Sequence, residues 1–327
     1  MDGGTVAASS STPSPDHMRL LVKVARMYHE RGVRQPEIAA HLHMSQPRVS
    51  RLLKEAVDRG VVRTVVVSPE GVHAELEDAL IERYGLRDVL VVEVESAVSD
   101  VIPALAAATA TYLDATLATG DVIGVSSWSA TLLESVNVMR ARTSTTAQEV
   151  VQVIGGAGSP EVQLHATRLT SRLAELTGAQ PVFAPSAALV GSRELRDLLW
   201  REPAMAEAMR AWSRITVALL GIGTLAPSPL LRRSGNAITA ADQTQLTKLG
   251  AVGDVCARYF DATGNLVDAP FNDRIIGIDP DHLRAVDRRI GVAGGPDKVA
   301  AIRGAVAGGW INTLITDAEV ARQLLRD

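Results

Sequence analysis

Apolar residues in the N-terminal part of the chain recur every three or four positions, the spacing of amphipathic helices. The first stripe predicts a helix over 17–31, and the second a short helix that opens at 35–37. The third predicts a helix that Ser45 caps and Gly60 ends. The residues expected on the buried faces are Leu20, Leu21, Val24, Met27, Tyr28, Ile38, Ala39, Leu42, Val49, Leu52, Leu53, Ala56 and Val57.

The outward face of the third helix carries side chains that donate hydrogen bonds, and the preceding tight turn makes it a candidate recognition helix. Gln46 and Arg48 are expected to contact bases. Ser50, Arg51 and Lys54 are better suited to phosphates. An ordinary solvated face remains the alternative, above all for Lys54. The predicted DNA-binding residues are Gln35, Ser45, Gln46, Pro47, Arg48, Ser50, Arg51 and Lys54.

The segments on either side of these helices differ in composition. Residues 1–16 are rich in Ser, Thr, Pro and Gly, which predicts a disordered tail. After Gly60, the β-branched run 61–67 predicts a strand, either a wing or the start of a connector, with Arg63 within reach of a phosphate. The helix-turn-helix domain is therefore predicted over 17–69.

Beyond residue 70, short apolar strands alternate with helices, which predicts an α/β domain with a mostly parallel sheet covered on both faces. Strands are expected at 89–94, 121–125, 149–154, 181–183, 215–220, 274–278 and 289–292, and before Asp317. Helices are expected at 73–84, 101–117, 131–139, 162–176, 194–201, 203–211, 243–249, 296–308 and 317–325. In such sheets ligands bind in the loops at the carboxyl ends of the strands.

Composition excludes several classes of protein. A chain of 327 residues suits two domains, and 46% hydrophobic with 21% charged residues is typical of a globular chain. No apolar run is long enough for a membrane span and no signal peptide is evident, so we expect a cytoplasmic protein. Cys256 is the only cysteine, which excludes an intrachain disulfide and a thiolate zinc site.

Charge is distributed unevenly along the chain. Residues 1–69 carry ten Lys and Arg against six Asp and Glu, although the whole chain has a net charge of −4. This asymmetry favours a polyanionic partner at the N-terminal end only.

Two kinds of loop have the composition of an anion or polyol site. Hydroxyls and free amides at the helix start 126–131 suit an anion, although serine also caps ordinary helices. Gly155 and Gly156, and the glycines of 221–223, let backbone approach a ligand or simply form turns.

Lys298 follows a Gly-Gly-Pro sequence at a helix start, where a lysine is a point charge for phosphate. Neither a GxGxxG motif nor a P-loop is present, so no cofactor is predicted.

The segment PEIAAHLHMSQPRVSRLLKEAVDRGVVRTVVV is similar to the helix-turn-helix of the SorC family of sugar-binding transcription regulators, which includes deoxyribonucleoside and central glycolytic regulators. The resemblance continues from about Ala74 to the C-terminus. The stretches that carry it follow the order of the family's sugar-binding domain: DVIGVSSWSATL, VVQVIGGAGS, GIGTL, GDVCARYFDATGNLVD, DRIIGID and GVAGGPDKVAAIRGAVAGGWINTLITDAEVARQLL.

The resemblance implies a Rossmann-like, doubly wound domain over 70–327 that binds an effector, forms dimers or homotetramers, and resembles sugar-phosphate isomerases and deaminases in fold. In its first loop the chain reads Ser-Ser-Trp-Ser where many members read G-x-G-x-T. Trp128 in this loop either stacks on a sugar face or fills a gap in the core. The effector-binding residues are expected to be Ser126, Ser127, Trp128, Ser129, Gly155, Gly156, Asp254, Asp268 and Lys298.

The sequence therefore predicts a DNA-binding transcription regulator, not an enzyme, whose operator binding is controlled by a sugar, polyol or sugar-phosphate effector. The alternative is an isomerase-like or deaminase-like enzyme fused to a DNA-binding head. Such an enzyme needs a general base, for which Asp254, Asp268 and His165 are candidates.

Overall fold

The computed structural model describes residues 14–63, 71–94, 100–141, 146–156, 160–227, 232 and 238–326. Contacts divide the chain into two compact units, Met1–Val67 and Ser68–Asp327. The predicted tail over 1–16 lies largely outside the described residues, and its last two residues begin the first helix.

Three helices form the described part of the N-terminal unit, as the apolar spacing predicts: α1 (Pro15–His29), α2 (Gln35–His41) and α3 (Gln46–Asp58). α1 begins two residues earlier than expected because the hydroxyl of Ser14 accepts a hydrogen bond from the amide of His17 at 3.3 Å. The helices share one apolar core, made of Leu21, Val24, Ala25, Met27, Ile38, Ala39, Val49, Leu52, Leu53 and Ala56.

The link between α2 and α3 is a tight turn, in which His43 has a left-handed backbone with a φ of 51°. Ser45 lies at the N-cap of α3, as predicted, but its side chain makes no capping hydrogen bond. The chain direction therefore changes within a few residues, as a helix-turn-helix requires.

The strand predicted over 61–67 is not formed at 61–63. Val61 and Val62 instead pack against the core of the three helices, and the amide of Val62 donates a hydrogen bond to the carbonyl of Ala56 at 3.0 Å. The rest of the predicted strand lies outside the described residues.

A seven-stranded sheet forms the centre of the C-terminal unit, and a two-stranded antiparallel hairpin lies apart from it. The strands are β1 (Asp88–Val92), β2 (Asp121–Val125), β3 (Ala147–Gln152), β4 (Gln180–Val182), β5 (Val217–Gly221), β6 (Ala251–Val255), β7 (Arg258–Asp261), β8 (Arg288–Val292) and β9 (Thr313–Asp317). Within the sheet the order is β1-β9-β8-β5-β2-β3-β4, every pair is parallel, and β6 and β7 form the hairpin.

The strand order reverses between β2 and β5. From β2 the chain proceeds through β3 to β4 at one edge, whereas from β5 it proceeds through β8 to β9 on the other side. A crevice at such a switch point is where doubly wound sheets bind ligands.

Helices cover both faces of the sheet, as predicted, so the expected α/β class is confirmed. The helices of the C-terminal unit include α4 (Ala74–Tyr84), α5 (Ile102–Thr116), α6 (Ala130–Val138), α7 (Pro160–Thr177), α8 (Arg193–Leu199), α9 (Pro203–Trp212), α10 (Ala240–Lys248), α11 (Pro280–Ala285), α12 (Val299–Ala307) and α13 (Ala318–Arg326). Alternate residues of β5 point to opposite sides: Ala218 and Leu220 join one apolar cluster, Val217 and Leu219 the other. No helix in the described ranges is long and apolar enough to cross a membrane.

The prediction of a strand at 274–278 is wrong. A 3-10 helix, Pro270–Arg274, occupies the start of this segment. The residues that follow form only isolated antiparallel bridges, Ile275 with Leu189 and Gly277 with Ile154. Their backbone hydrogen bonds are thus made to the loops at the strand ends and not to a neighbouring strand of the sheet.

Two further elements differ from expectation. The helix predicted over 296–308 is divided into α12 and a preceding 3-10 turn, Pro296–Lys298, which follows Gly295 with a φ of 92°. The hairpin of β6 and β7 is absent from the predicted elements. Both differences lie next to the cavity described below.

Candidate DNA-binding face and effector pocket

The outward surface of α3 is exposed and basic. Seven of the eight predicted DNA-binding residues are exposed: Ser45, Gln46, Pro47, Arg48, Ser50, Arg51 and Lys54. The eighth, Gln35, is half-buried at the start of α2. The structure thus brings the predicted residues of α3 together on one surface.

One of the two acidic residues of α3, Glu55, is bound to neighbouring side chains. Glu55 accepts hydrogen bonds from Arg59 at 2.6 Å and from His17 of α1 at 2.9 Å. These hydrogen bonds, that of Arg59 first, hold the pKa of Glu55 below its usual range. The carboxylate of Glu55 therefore links α1 to α3, and Asp58, at the end of α3, is exposed.

In the C-terminal unit, a cavity of about 430 Å³ lies at the carboxyl ends of β2, β5 and β8, beside the point where the strand order reverses. Its polar and charged lining residues are Asp100, Ser126, Ser129, Thr131, Thr224, Asp254 and Lys298. Its larger apolar lining residues are Val101, Ile102, Leu105, Trp128, Ile154, Leu189, Ile222 and Val292.

The end of β5 and the loop after it line the cavity. The amide of Gly221 donates a hydrogen bond to the hydroxyl of Ser126 at 2.9 Å, and a Cβ at this position would lie 2.9 Å from the Cβ of Ser129. Glycine thus lets the serine loop after β2 approach the end of β5.

The hairpin of β6 and β7 brings Asp254 to the cavity. Gly223 and Asp254 exchange backbone hydrogen bonds of 2.9 and 3.0 Å. A Cβ on Gly223 would lie only 1.9 Å from Oδ1 of Asp254, so this carboxylate position requires glycine there. Oδ2 accepts a hydrogen bond from the amide of Ala257 at 2.9 Å, within a turn where Cys256 and Ala257 both have positive φ.

Two opposite charges face each other in the cavity. Burial raises the pKa of Asp254 to about 6, although the Ala257 amide and the Lys298 charge act in the opposite direction. Burial also lowers the pKa of Lys298, which Asp254 partly restores. The Lys298 ammonium donates a hydrogen bond to the carbonyl of Ile222. The pair presents both an acceptor and a donor to a ligand.

The backbone before Lys298 is held by a buried carboxylate. Oδ2 of Asp317 accepts a hydrogen bond from the amide of Gly295 at 2.7 Å, and Oδ1 accepts one from the amide of Val320 at 2.9 Å. A Cβ on Gly294 would lie 2.5 Å from Oδ2 of Asp317. Asp317 therefore positions the glycine loop that carries Lys298.

Trp128 is half-buried and lines the cavity next to the serine loop. Its indole Nε1 donates a hydrogen bond to the carbonyl of Gly155 at 3.0 Å. Beside it, the hydroxyl of Ser129 accepts a hydrogen bond from the amide of Leu132 at 3.2 Å and so caps α6.

The cavity gathers five of the nine residues predicted for the effector: Ser126, Trp128, Ser129, Asp254 and Lys298. The others lie outside its lining. Ser127 is 2% exposed. A Cβ on Gly155 or Gly156 would collide with protein atoms, so their small size serves packing. Asp268 is exposed.

Sequence reasoning missed other residues of the cavity. Asp100 belongs to none of the stretches that resemble the family, Thr224 lies in the GIGTL stretch but is not among the predicted site residues, and the role of Gly223 depends on a hairpin that the sequence does not predict. The described residues hold no group of three or more His, Cys, Asp and Glu side chains suited to a metal ion.

Known proteins resemble this chain over nearly its whole length. The Sugar-bind model, a sugar-binding domain, matches residues 70–326, and a helix-turn-helix domain model matches residues 17–68. The deoxyribonucleoside regulator of Bacillus subtilis (strain 168) is 32% identical over 313 residues, which cover 95% of this chain and 99% of the relative. The sorbitol operon regulator of Klebsiella pneumoniae is 30% identical over 316 residues, with the same coverage, 95% and 99%.

The solved structures agree. The crystal structure of the full-length sorbitol operon regulator SorC from Klebsiella pneumoniae has a TM-score of 0.71 and 28% sequence identity, and it covers 95% of this chain and 100% of that one. A helix-turn-helix joined to a sugar-binding α/β domain defines a DNA-binding transcription regulator under effector control. The chain belongs to the SorC family of sugar-binding transcription regulators. Its relatives are transcription regulators, which confirms the predicted function of an effector-controlled DNA-binding regulator. The alternative of an enzyme fused to a DNA-binding head is not favoured.

Proposed function

We propose that α3 reads the operator and that the cavity at the ends of β2, β5 and β8 holds the controlling sugar, polyol or sugar phosphate. The observation that carries this proposal is the meeting of Ser126, Ser129, Asp254 and Lys298 around one cavity, although they come from three separate stretches of the chain. Hydroxyls, a carboxylate and an ammonium are the groups that recognise polyols and phosphates.

On this proposal the two units have separate tasks. Residues 17–69 bind DNA, and residues 70–327 bind the effector and assemble the chain into a dimer or tetramer. One helix-turn-helix reads only a few base pairs, so a repeated operator needs at least two heads. The effector acts by favouring one arrangement of the subunits, and it does so only to the extent that its affinity differs between the arrangements.

A thermal-shift screen of sugars, polyols and their phosphates tests the effector site. The names of the relatives suggest deoxyribose and hexitol compounds as first probes. At least one probe should raise the Tm of the wild type, and Lys298→Ala should lose most of that rise. Lys248→Ala, which removes an exposed lysine of α10, is the matched control and should keep it.

A wild-type response that survives unchanged in Lys298→Ala would show that the ammonium does not contact the effector. If no compound of the panel raises the Tm of the wild type, the proposal that this cavity binds a sugar effector is contradicted. Operator fragments for the companion DNA-binding assays are best sought upstream of the regulator's own gene.

A further inference from the structure

Trp128 offers the cavity a purely hydrocarbon surface. Its one polar atom, Nε1, is already bonded to the carbonyl of Gly155 at 3.0 Å, so it has no donor left for a ligand. Part of the indole packs against the apolar cluster on one face of the sheet, and the side chain also lines the cavity.

The position of this surface is not that of an ordinary core tryptophan. Trp212 and Trp310 also donate their indole N–H to backbone carbonyls, of Gln152 and Gly264, but they are only 8% and 0% exposed. Trp128, in contrast, is half-buried and lines the cavity.

Polar groups lie across the cavity from Trp128. Trp128 follows β2, whereas Lys298 follows β8, and β5 lies between these strands in the sheet. Neighbouring strands are about 4.8 Å apart, which places β2 and β8 roughly 10 Å from each other. Asp254 reaches the same space through its contact with Gly223, in the loop after β5. The gap suits one ring-sized ligand with an apolar side toward Trp128 and a polar side toward Asp254 and Lys298.

A closed sugar ring has this division of polarity, because C–H groups form an apolar patch on a face of the ring while most hydroxyls project from its edge. An open-chain polyol has hydroxyls along its whole length and presents no continuous apolar face. Burying hydroxyls against hydrocarbon without a partner is unfavourable, so an aromatic wall discriminates between the two forms.

We propose that Trp128 is a specificity-determining residue that selects a closed sugar ring, with the ring's C–H face on the indole and its hydroxyl edge toward Asp254 and Lys298. This rests on the proposed effector function of the cavity. It deepens that function because it distinguishes cyclic sugars from open-chain polyols of the same size.

Matched ligand pairs test the proposal by calorimetry on the full chain. Methyl 2-deoxyribofuranoside and methyl glucopyranoside, which are locked as rings, are compared with 2-deoxyribitol and glucitol, and each is used with and without a terminal phosphate. At least one ring compound should bind the wild type about tenfold more tightly than its alditol, the size of effect expected for one aromatic contact.

Three variants separate the aromatic surface from general packing. Trp128→Leu keeps apolar volume without an aromatic face and should lose about tenfold in ring affinity while leaving the alditols unchanged. Trp128→Phe keeps an aromatic face and should lose less. Trp200→Phe changes a tryptophan outside the cavity lining and should bind as the wild type does.

The outcomes distinguish this inference from the function on which it rests. Equal binding of rings and alditols by the wild type, or a parallel loss of both in Trp128→Leu, would overturn the ring selection while the effector site stands. Failure of every ligand to bind would overturn both. Because the wild-type comparison needs no variant, an unfolded variant does not prevent a decision.

Discussion

Single residues at the strand ends shape the cavity. Asp254 is held between Gly223, which leaves room for its carboxylate, and Ala257, whose amide bonds to it. The sequence points to Asp254 through its family position, but not to the fit with Gly223, because that fit depends on a contact between distant loops. Family position points equally to Asp268, yet this residue is exposed outside the cavity lining. Sequence position thus indicates candidate residues, and folding decides which of them meet.

The buried carboxylate of Asp254 should make stability depend on pH. Its pKa is raised from 3.8 to about 6, so between these values the folded protein keeps a proton that the unfolded chain has released. The free energy of unfolding therefore falls as pH rises from about 4 to about 6, and this contribution is constant above that range. Asp254→Asn cannot titrate and should lack this fall. From pH 4 to pH 6 its free energy of unfolding should therefore rise relative to that of the wild type by about 1–3 kcal/mol.

Urea unfolding of wild type and Asp254→Asn between pH 4 and pH 7 measures this difference. Other carboxylates titrate in both proteins and cancel in the comparison. Asp268→Asn, at an exposed position outside the cavity lining, should follow the wild-type curve. Parallel curves for wild type and Asp254→Asn would contradict the raised pKa.

At the scale of elements, the sequence predicts regular segments well and special turns poorly. β2 is predicted to the residue because an apolar run is bounded by Gly120 and by the serine loop. The hairpin of β6 and β7 escapes prediction because its two-residue turn is Cys256–Ala257, with φ of 52° and 60°, where glycine or asparagine is the usual signal. The 274–278 segment is apolar enough for a strand but bonds to loops instead.

Glycine should relieve the backbone strain in the turn of this hairpin. A non-glycine residue with left-handed backbone is strained by roughly 1 kcal/mol, so Ala257→Gly is expected to raise the free energy of unfolding by about 0.5–1 kcal/mol. Chemical denaturation measures the change. Ala107→Gly, at an exposed position inside α5, is the matched control and should lower stability by about 1 kcal/mol. A loss of stability in both variants would show that the turn is not strained.

At the scale of the whole molecule, charge separates the two tasks. The N-terminal unit is basic and its α3 surface is exposed, whereas the chain as a whole is acidic. The split is visible in the sequence because it depends on composition alone. A contact between copies of the chain would not be visible in this way, because residues that meet between chains leave no periodic pattern within one chain.

DNA binding by α3 should depend on salt in proportion to the number of phosphates that its side chains neutralise. Removing one cation that binds a phosphate should reduce the slope of log K against log salt concentration by about 0.9. Lys54→Ala is therefore expected to flatten the slope and to weaken binding to all DNA sequences equally. Arg48→Ala should in addition relax the preference for one base pair, by about 1–3 kcal/mol. Fluorescence anisotropy on an operator fragment, at several salt concentrations, measures both effects.

Arg210→Ala is the matched control, because it removes an exposed arginine from α9 of the other unit. If the effects of the α3 variants do not come from the change in net charge, Arg210→Ala should leave the salt slope and the base preference unchanged. A slope that changes equally in Arg210→Ala and Lys54→Ala would point to long-range charge. A wild-type slope in Lys54→Ala would instead place that lysine away from the phosphates. Since a base contact and a phosphate contact differ in their dependence on sequence, the two α3 variants assign each residue its role even before an operator complex is solved.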